Sequence, residues 1–230
     1  MQPELRTVPV SGGRVLTATQ NKVLRNTYLL LALTMVPTVI GAMVGMATGA
    51  IIFKAPIVAS LVLLAVVVGL QYAIAANRNS GVGILLLFVL TFILGWWLGP
   101  LLSVALSLRN GGALVGYAAA GTGIVFTVMS IIATTSKRDF SFMGKFLFVG
   151  MIVLLIAMLA NMFLQIPALA LTISSLVIVV FSLFLLYDLS RIVNGGEDNY
   201  VMATTGVFLS LFNIFANLLS LLMSFGGSND

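Results

Sequence analysis

Long apolar runs separated by short polar or charged interruptions make up most of this 230-residue chain. Residues 61–70, for example, are apolar at every position. A membrane-spanning β-barrel requires apolar and polar residues to alternate in stretches of about ten, so runs of this kind predict helices instead. A bilayer core of about 30 Å takes roughly 20 predominantly apolar residues per helix. The interruptions divide the chain into seven segments of about that length, 28–49, 57–76, 82–106, 113–133, 144–164, 167–187 and 202–225. Only Gln165 and Ile166 precede Pro167 between the fifth and sixth segments, which predicts a tight hairpin with the proline opening the returning helix. The fold class that follows is an all-α integral membrane bundle of seven transmembrane helices.

Composition supports this pattern and narrows the chemistry. Hydrophobic residues make up 60% of the chain and charged residues 7%, with a mean hydropathy of +1.18. Soluble domains carry about 25% charged residues, so a soluble enzyme and a nucleic-acid-binding domain are both excluded. Cysteine and histidine are absent, which removes thiol nucleophiles, imidazole bases and the usual zinc ligands. No cofactor is expected, apart from weak Ca²⁺ binding.

The few charges predict topology. Residues 1–27 contain Pro3, Pro9, Gly12 and Gly13 and no apolar core, and they read as a mobile tail made basic by Arg6, Arg14, Lys22 and Arg25. With seven spans, Arg78, Lys137, Arg138, Lys145 and Arg191 fall on the tail's side, giving nine basic residues against Lys54 and Arg109 opposite. Basic residues in short loops mark the cytoplasmic face. The expected organisation is a cytoplasmic tail (1–27), a membrane domain (28–225) and a short non-cytoplasmic end (226–230).

Small and polar residues then indicate which faces look inward. Gly41, Gly45 and Gly49, then Gly95 and Gly99, then Gly112, Gly116 and Ala120, recur every four residues and predict close helix packing within the monomer. In the last span Gly206, Ser210, Asn213, Asn217, Ser220 and Ser224 form one helical stripe. Amides are costly against lipid, so this stripe faces the bundle interior, either hydrogen-bonding between helices or lining a cavity. Asn161 and Gln165 form a second inward pair. Trp96, Trp97 and the Phe140–Phe142 stretch read as interfacial anchors. Asp188 is the one acid joined directly to an apolar span. It either pairs with Arg191 one turn later or faces the last span in a partly desolvated position, where its protonation would report pH.

Three stretches carry a family resemblance. They are Tyr187-Asp188-Leu-Ser-Arg-Ile-Val-Asn-Gly-Gly-Glu-Asp-Asn-Tyr200, Thr134-Thr-Ser-Lys-Arg-Asp139-Phe-Ser-Phe-Met-Gly144 and Ser210-Leu-Phe-Asn213-Ile-Phe-Ala-Asn-Leu-Leu-Ser-Leu-Leu222. In this order they resemble the Bax inhibitor-1 family, and Asn21-Lys-Val-Leu-Arg-Asn-Thr-Tyr28 is similar to its bacterial YccA-like branch. The resemblance covers about residues 21–225. It implies six helices surrounding the last, and a pH-sensitive Ca²⁺ leak controlled by two facing carboxylates of the sixth and seventh spans. The first carboxylate falls on Asp188. The second position is Asn213, which does not titrate and can share a hydrogen bond with an acid without charge conflict, so this chain departs from the paired-acid switch. Arg78 is the candidate for an arginine that holds the pair in some members.

Three functions follow. The branch resemblance implies a non-enzymatic inner-membrane protein that binds and modulates FtsH, a membrane-anchored ATP-dependent protease; the basic tail is the candidate contact, since such proteases pull on unstructured ends. The alternative is a Ca²⁺/H⁺-linked leak channel around Asp188, with Ser210, Asn213, Asn217, Arg78 and Arg191 along its path. An intramembrane aspartyl protease is the remote third, since that chemistry needs two titrating carboxylates.

Overall fold

The computed structural model describes residues 17–49, 54–136 and 138–226. Arg6, Arg14 and Lys137 lie outside them. Seven helices follow one another: α1 Ala18–Thr48, α2 Pro56–Ala76, α3 Gly81–Ser107, α4 Gly111–Thr135, α5 Gly144–Leu164, α6 Pro167–Asn194 and α7 Tyr200–Gly226. A 3₁₀ turn, Ser141–Met143, precedes α5. All seven helices are long and apolar enough to cross a membrane.

α1 begins ten residues earlier than the apolar run alone implies. Thr17 and Gln20 form a reciprocal cap, Gln20 N–H donating to Thr17 Oγ1 at 3.3 Å and Thr17 N–H to Gln20 Oε1 at 2.8 Å. That satisfies two amides that would otherwise be orphaned at the helix start. Lys22 and Arg25, assigned to the tail above, are therefore exposed residues of α1. With 31 residues, α1 is about 46 Å long, some 16 Å more than a bilayer core.

The α5–α6 hairpin forms where Pro167 requires it. Gln165 takes φ 51°, the left-handed conformation, and its N–H closes on Asn161 O at 2.8 Å. Asn161 Oδ1 accepts the Ile166 amide at 3.1 Å. Gln165 is thus an exposed turn residue rather than half of an inward pair.

Close packing is unequal among the glycine faces. A methyl group built on Gly41 would strike Phe92 O, one on Gly45 would strike Trp96 O, and one on Gly95 would strike Thr38 O. α1 and α3 therefore meet backbone to backbone, as small residues permit. Trp96 adds a 2.8 Å bond from its indole N–H to Thr48 Oγ1, so it serves this contact, a role that the reading as an interfacial anchor does not include. By contrast, Gly112 and Gly116 have nothing within 4 Å of a built methyl, and Ala120 is exposed. That α4 face points away from the bundle.

α7 is central, packing against α1, α2, α3, α4 and α6. Its Val207, Phe208 and Ile214 are fully enclosed among Leu30, Leu87, Leu90, Leu185 and Leu189. α5 stands outside this ring on α6, where Leu154 meets Ile173 and Val177. Five helices, not six, pack substantially on the last.

Candidate functional site at the basic end

The loops that share an end of the bundle are tied together there by hydrogen bonds. Asn199, which precedes α7, caps that helix by accepting from Val201 N–H at 3.0 Å and Met202 N–H at 3.1 Å. Its amide nitrogen reaches the α2–α3 turn, donating to Arg78 O at 3.0 Å and Asn79 Oδ1 at 2.8 Å. Ser190 of α6, fully buried, accepts the Phe140 amide of the α4–α5 loop at 3.0 Å. Asn194 Nδ2 donates to the same hydroxyl at 2.9 Å and to the Ser190 carbonyl at 2.7 Å. Sequence reasoning passed over both residues. An Asn immediately before an apolar helix is a readable cap signal, whereas Ser190 carries no such mark.

Arg191 has its own partner. Its Nη2 lies 3.1 Å from Glu197 Oε2 and 3.1 Å from Gly196 O, and its guanidinium sits 5.6 Å from the centre of the Tyr187 ring. It therefore folds the α6–α7 loop rather than pairing with Asp188. Gly195, at φ 78°, supplies the left-handed turn this loop needs.

Asp188 is half-buried and faces α7 at Gly206. A Cβ at that position would lie 2.7 Å from Asp188 Oδ2. Among the described residues the carboxylate makes no hydrogen bond or ion pair, and the charges acting on it are Arg191 and Glu197. Asn213 is seven residues beyond Gly206, about 10 Å along α7, and its Nδ2 donates to Leu209 O at 2.8 Å within its own helix. The structure does not bring Asp188 and Asn213 together. Nor does it bring Arg78 to Asp188: Arg78 is an exposed residue of the α2–α3 turn, contributing its carbonyl to Asn199.

The remaining stripe residues satisfy themselves or line a cavity. Ser210 is buried. Asn217 Nδ2 donates to Asn213 O at 2.9 Å and Ser224 to Ser220 O at 3.0 Å. Such bonds to the preceding turn replace the interhelical ones expected. Asn217 also borders a cavity of about 220 Å³ with Asn161 and Ser174, between α5, α6 and α7 and away from the basic end. The described residues contain no group of three acidic, His or Cys side chains able to hold a metal.

The arrangement thus offers an unpartnered carboxylate against a central helix, beneath an end built from four cross-linked segments. Comparison with known proteins places this fold. The family profile described as "Inhibitor of apoptosis-promoting Bax1" matches residues 20–227. An uncharacterized membrane protein of Vibrio cholerae is 43% identical over 206 residues, 90% of this chain and 91% of that one. An uncharacterized protein of Neisseria meningitidis serogroup A is 39% identical over 216 residues, covering 93% and 95%. The "Modulator of FtsH protease YccA" of Escherichia coli K12 is 39% identical over 217 residues, covering 94% and 96%. On these matches, spread over nearly its whole length, the chain belongs to the Bax inhibitor-1 family.

Proposed function

We propose that this chain is a multi-pass inner-membrane protein that binds and modulates a membrane-anchored ATP-dependent protease of the FtsH type, with no catalytic step of its own. The observation that carries this reading is the 39% identity over 94% of the chain to a protein named as a modulator of that protease. The geometry is compatible with it. α1 is longer than a bilayer core, and Lys22, Arg25, Arg78, Arg138 and Lys145 are all exposed at the basic end. That end is cytoplasmic by the positive-inside rule, and a membrane-anchored protease would grip it there. Residues 1–16, which include Arg6 and Arg14, lead into the Thr17 cap at the same end.

Deletion of residues 2–16 tests the tail as the contact while sparing the cap. The protein's turnover by the protease should slow, and its protection of other membrane substrates should weaken. Unchanged turnover at normal expression contradicts a tail-mediated contact.

A second reading is a leak for Ca²⁺ or H⁺ around Asp188. It is favoured by the unpartnered carboxylate facing Gly206, because an acid inside a span is costly and tends to be retained for function. About 16 Å of α7 separates Gly206 from Asn217, and Ser210 and Asn213 lie between them. Reconstituted protein should then pass Ca²⁺ in a manner lost in Asp188→Ala. No flux, or flux indifferent to that change, removes the reading. Catalysis by paired carboxylates gains no support, because Glu197 is occupied by Arg191.

A further inference from the structure

We infer that the trough between α1 and α4 is a binding site for one acyl chain of an anionic phospholipid, seated with its headgroup at the basic end. α1 and α4 flank this trough rather than packing on one another, and Tyr28 bridges them by an edge-on contact to Phe126 and a 3.4 Å bond to Ser130 Oγ. Two cavities of about 420 and 310 Å³ occupy the space and share Met35, Thr122 and Leu211 as lining. Together they follow α1 from Tyr28 to Ala42, and Phe208, Phe212 and Phe215 of α7 form the floor. Fourteen residues of helix make this about 21 Å long. It is at least as deep as the ~15 Å that one leaflet of a bilayer core provides.

The chemistry of the lining selects a hydrocarbon. The Thr38 hydroxyl donates to Thr34 O at 2.7 Å and the Thr122 hydroxyl to Ala118 O at 2.8 Å, so neither donor is left for an occupant. Ordered water, which requires two to four polar partners, has no such set here. Met35, Val39 and Ala119 of the lining are exposed, so the trough is open along its outer side to the surrounding lipid. A single flexible hydrocarbon chain matches both the length and the polarity.

Charge at the mouth selects the headgroup. Arg25 lies one turn before Tyr28, on the side of α1 that carries Ala32, and is exposed. Arg138, also exposed, follows the end of α4. The adjacent Asp139 accepts the Ser141 amide at 2.9 Å. Basic residues at the membrane surface attract anionic lipids.

The test is native mass spectrometry of the full chain extracted in mild detergent, with retained lipids identified by headgroup. The expected result is one phosphatidylglycerol-class lipid per chain. Retention should fall to background in Ala119→Trp, which fills the trough from α4, and in Val39→Trp, which fills it from α1. Ile124→Trp, on the exposed face of α4, should retain the lipid as the parent does. Arg25→Gln should keep one lipid but lose the preference for an anionic headgroup. Absence of retained lipid in the parent protein overturns the site, as does undiminished retention in both filling variants when they remain monodisperse. A headgroup mixture equal to that of the source membrane overturns the anionic preference, and a second copy of the chain in place of lipid overturns the occupant.

Discussion

The carboxylate of Asp188 rests against the α-carbon of Gly206, where a Cβ would come within 2.7 Å of Oδ2. Glycine at this position is what lets an acid on α6 turn toward the central helix at all. Gly206→Val should therefore displace the carboxylate and overpack the α6–α7 contact. A cost of about 1–3 kcal/mol is expected, read as a lowered unfolding midpoint in detergent and relieved in part by Asp188→Ala in the same chain.

Asp188 and Asn213 lie two helical turns apart and share no hydrogen bond. In a double-mutant cycle of Asp188→Ala and Asn213→Ala, the coupling should stay below about 0.5 kcal/mol. A larger value would restore the paired switch that family resemblance implies.

Asn199 joins three segments through four hydrogen bonds. Asn199→Ala removes both the α7 cap and the tie to the α2–α3 turn, with an expected cost of about 2–3 kcal/mol. Asn199→Asp keeps the acceptor for the cap but turns a second carboxylate oxygen toward Arg78 O and Asn79 Oδ1, so it should cost at least as much as Asn199→Ala. Thermal unfolding of the two variants side by side orders them, and limited proteolysis should cut the α2–α3 turn faster in both.

The two glycine faces should behave oppositely. Gly45→Leu forces α1 away from the Trp96 backbone, and overpacking of this kind costs about 1–3 kcal/mol or more where backbone is the obstacle. Gly116→Ala meets nothing within 4 Å and should leave stability unchanged or raise it by up to about 1 kcal/mol. Unfolding midpoints that came out alike would contradict the packing described.

The Arg191–Glu197 pair is partly exposed, at 33% and 12% of side-chain surface. Its removal by Glu197→Gln should cost at most about 1 kcal/mol, and less at high salt. Comparing midpoints in low and high salt checks this.

Much of the architecture is legible in the sequence. The seven spans and the Pro167 hairpin follow from run length and a fixed proline φ, and the small-residue spacing marks the α1 and α3 glycine faces as packing faces without saying that they meet each other, all of which are local properties. The start of α1 was readable too, since Thr17 and Gln20 have capping-box spacing, but it lies in a polar stretch that hydropathy passes over. What local pattern does not encode is axial register between helices. Asp188 and Asn213 both face inward in their own helices, yet only the relative height of α6 and α7 decides that Asp188 meets Gly206. Likewise Arg191 finds Glu197 because Gly195 turns the loop back, a tertiary choice that a one-turn spacing rule favouring Asp188 does not anticipate. The α4 glycines show the same limit, for a small-residue repeat marks a face without saying whether a neighbour covers it.

The central claim, that this chain binds a membrane protease, is tested most directly by purifying the tagged full-length protein from its native membrane in low salt and identifying what accompanies it. The account predicts an FtsH-type protease as the dominant partner, reduced by deletion of residues 2–16. An intact, monodisperse seven-helix protein recovered without the protease would contradict it.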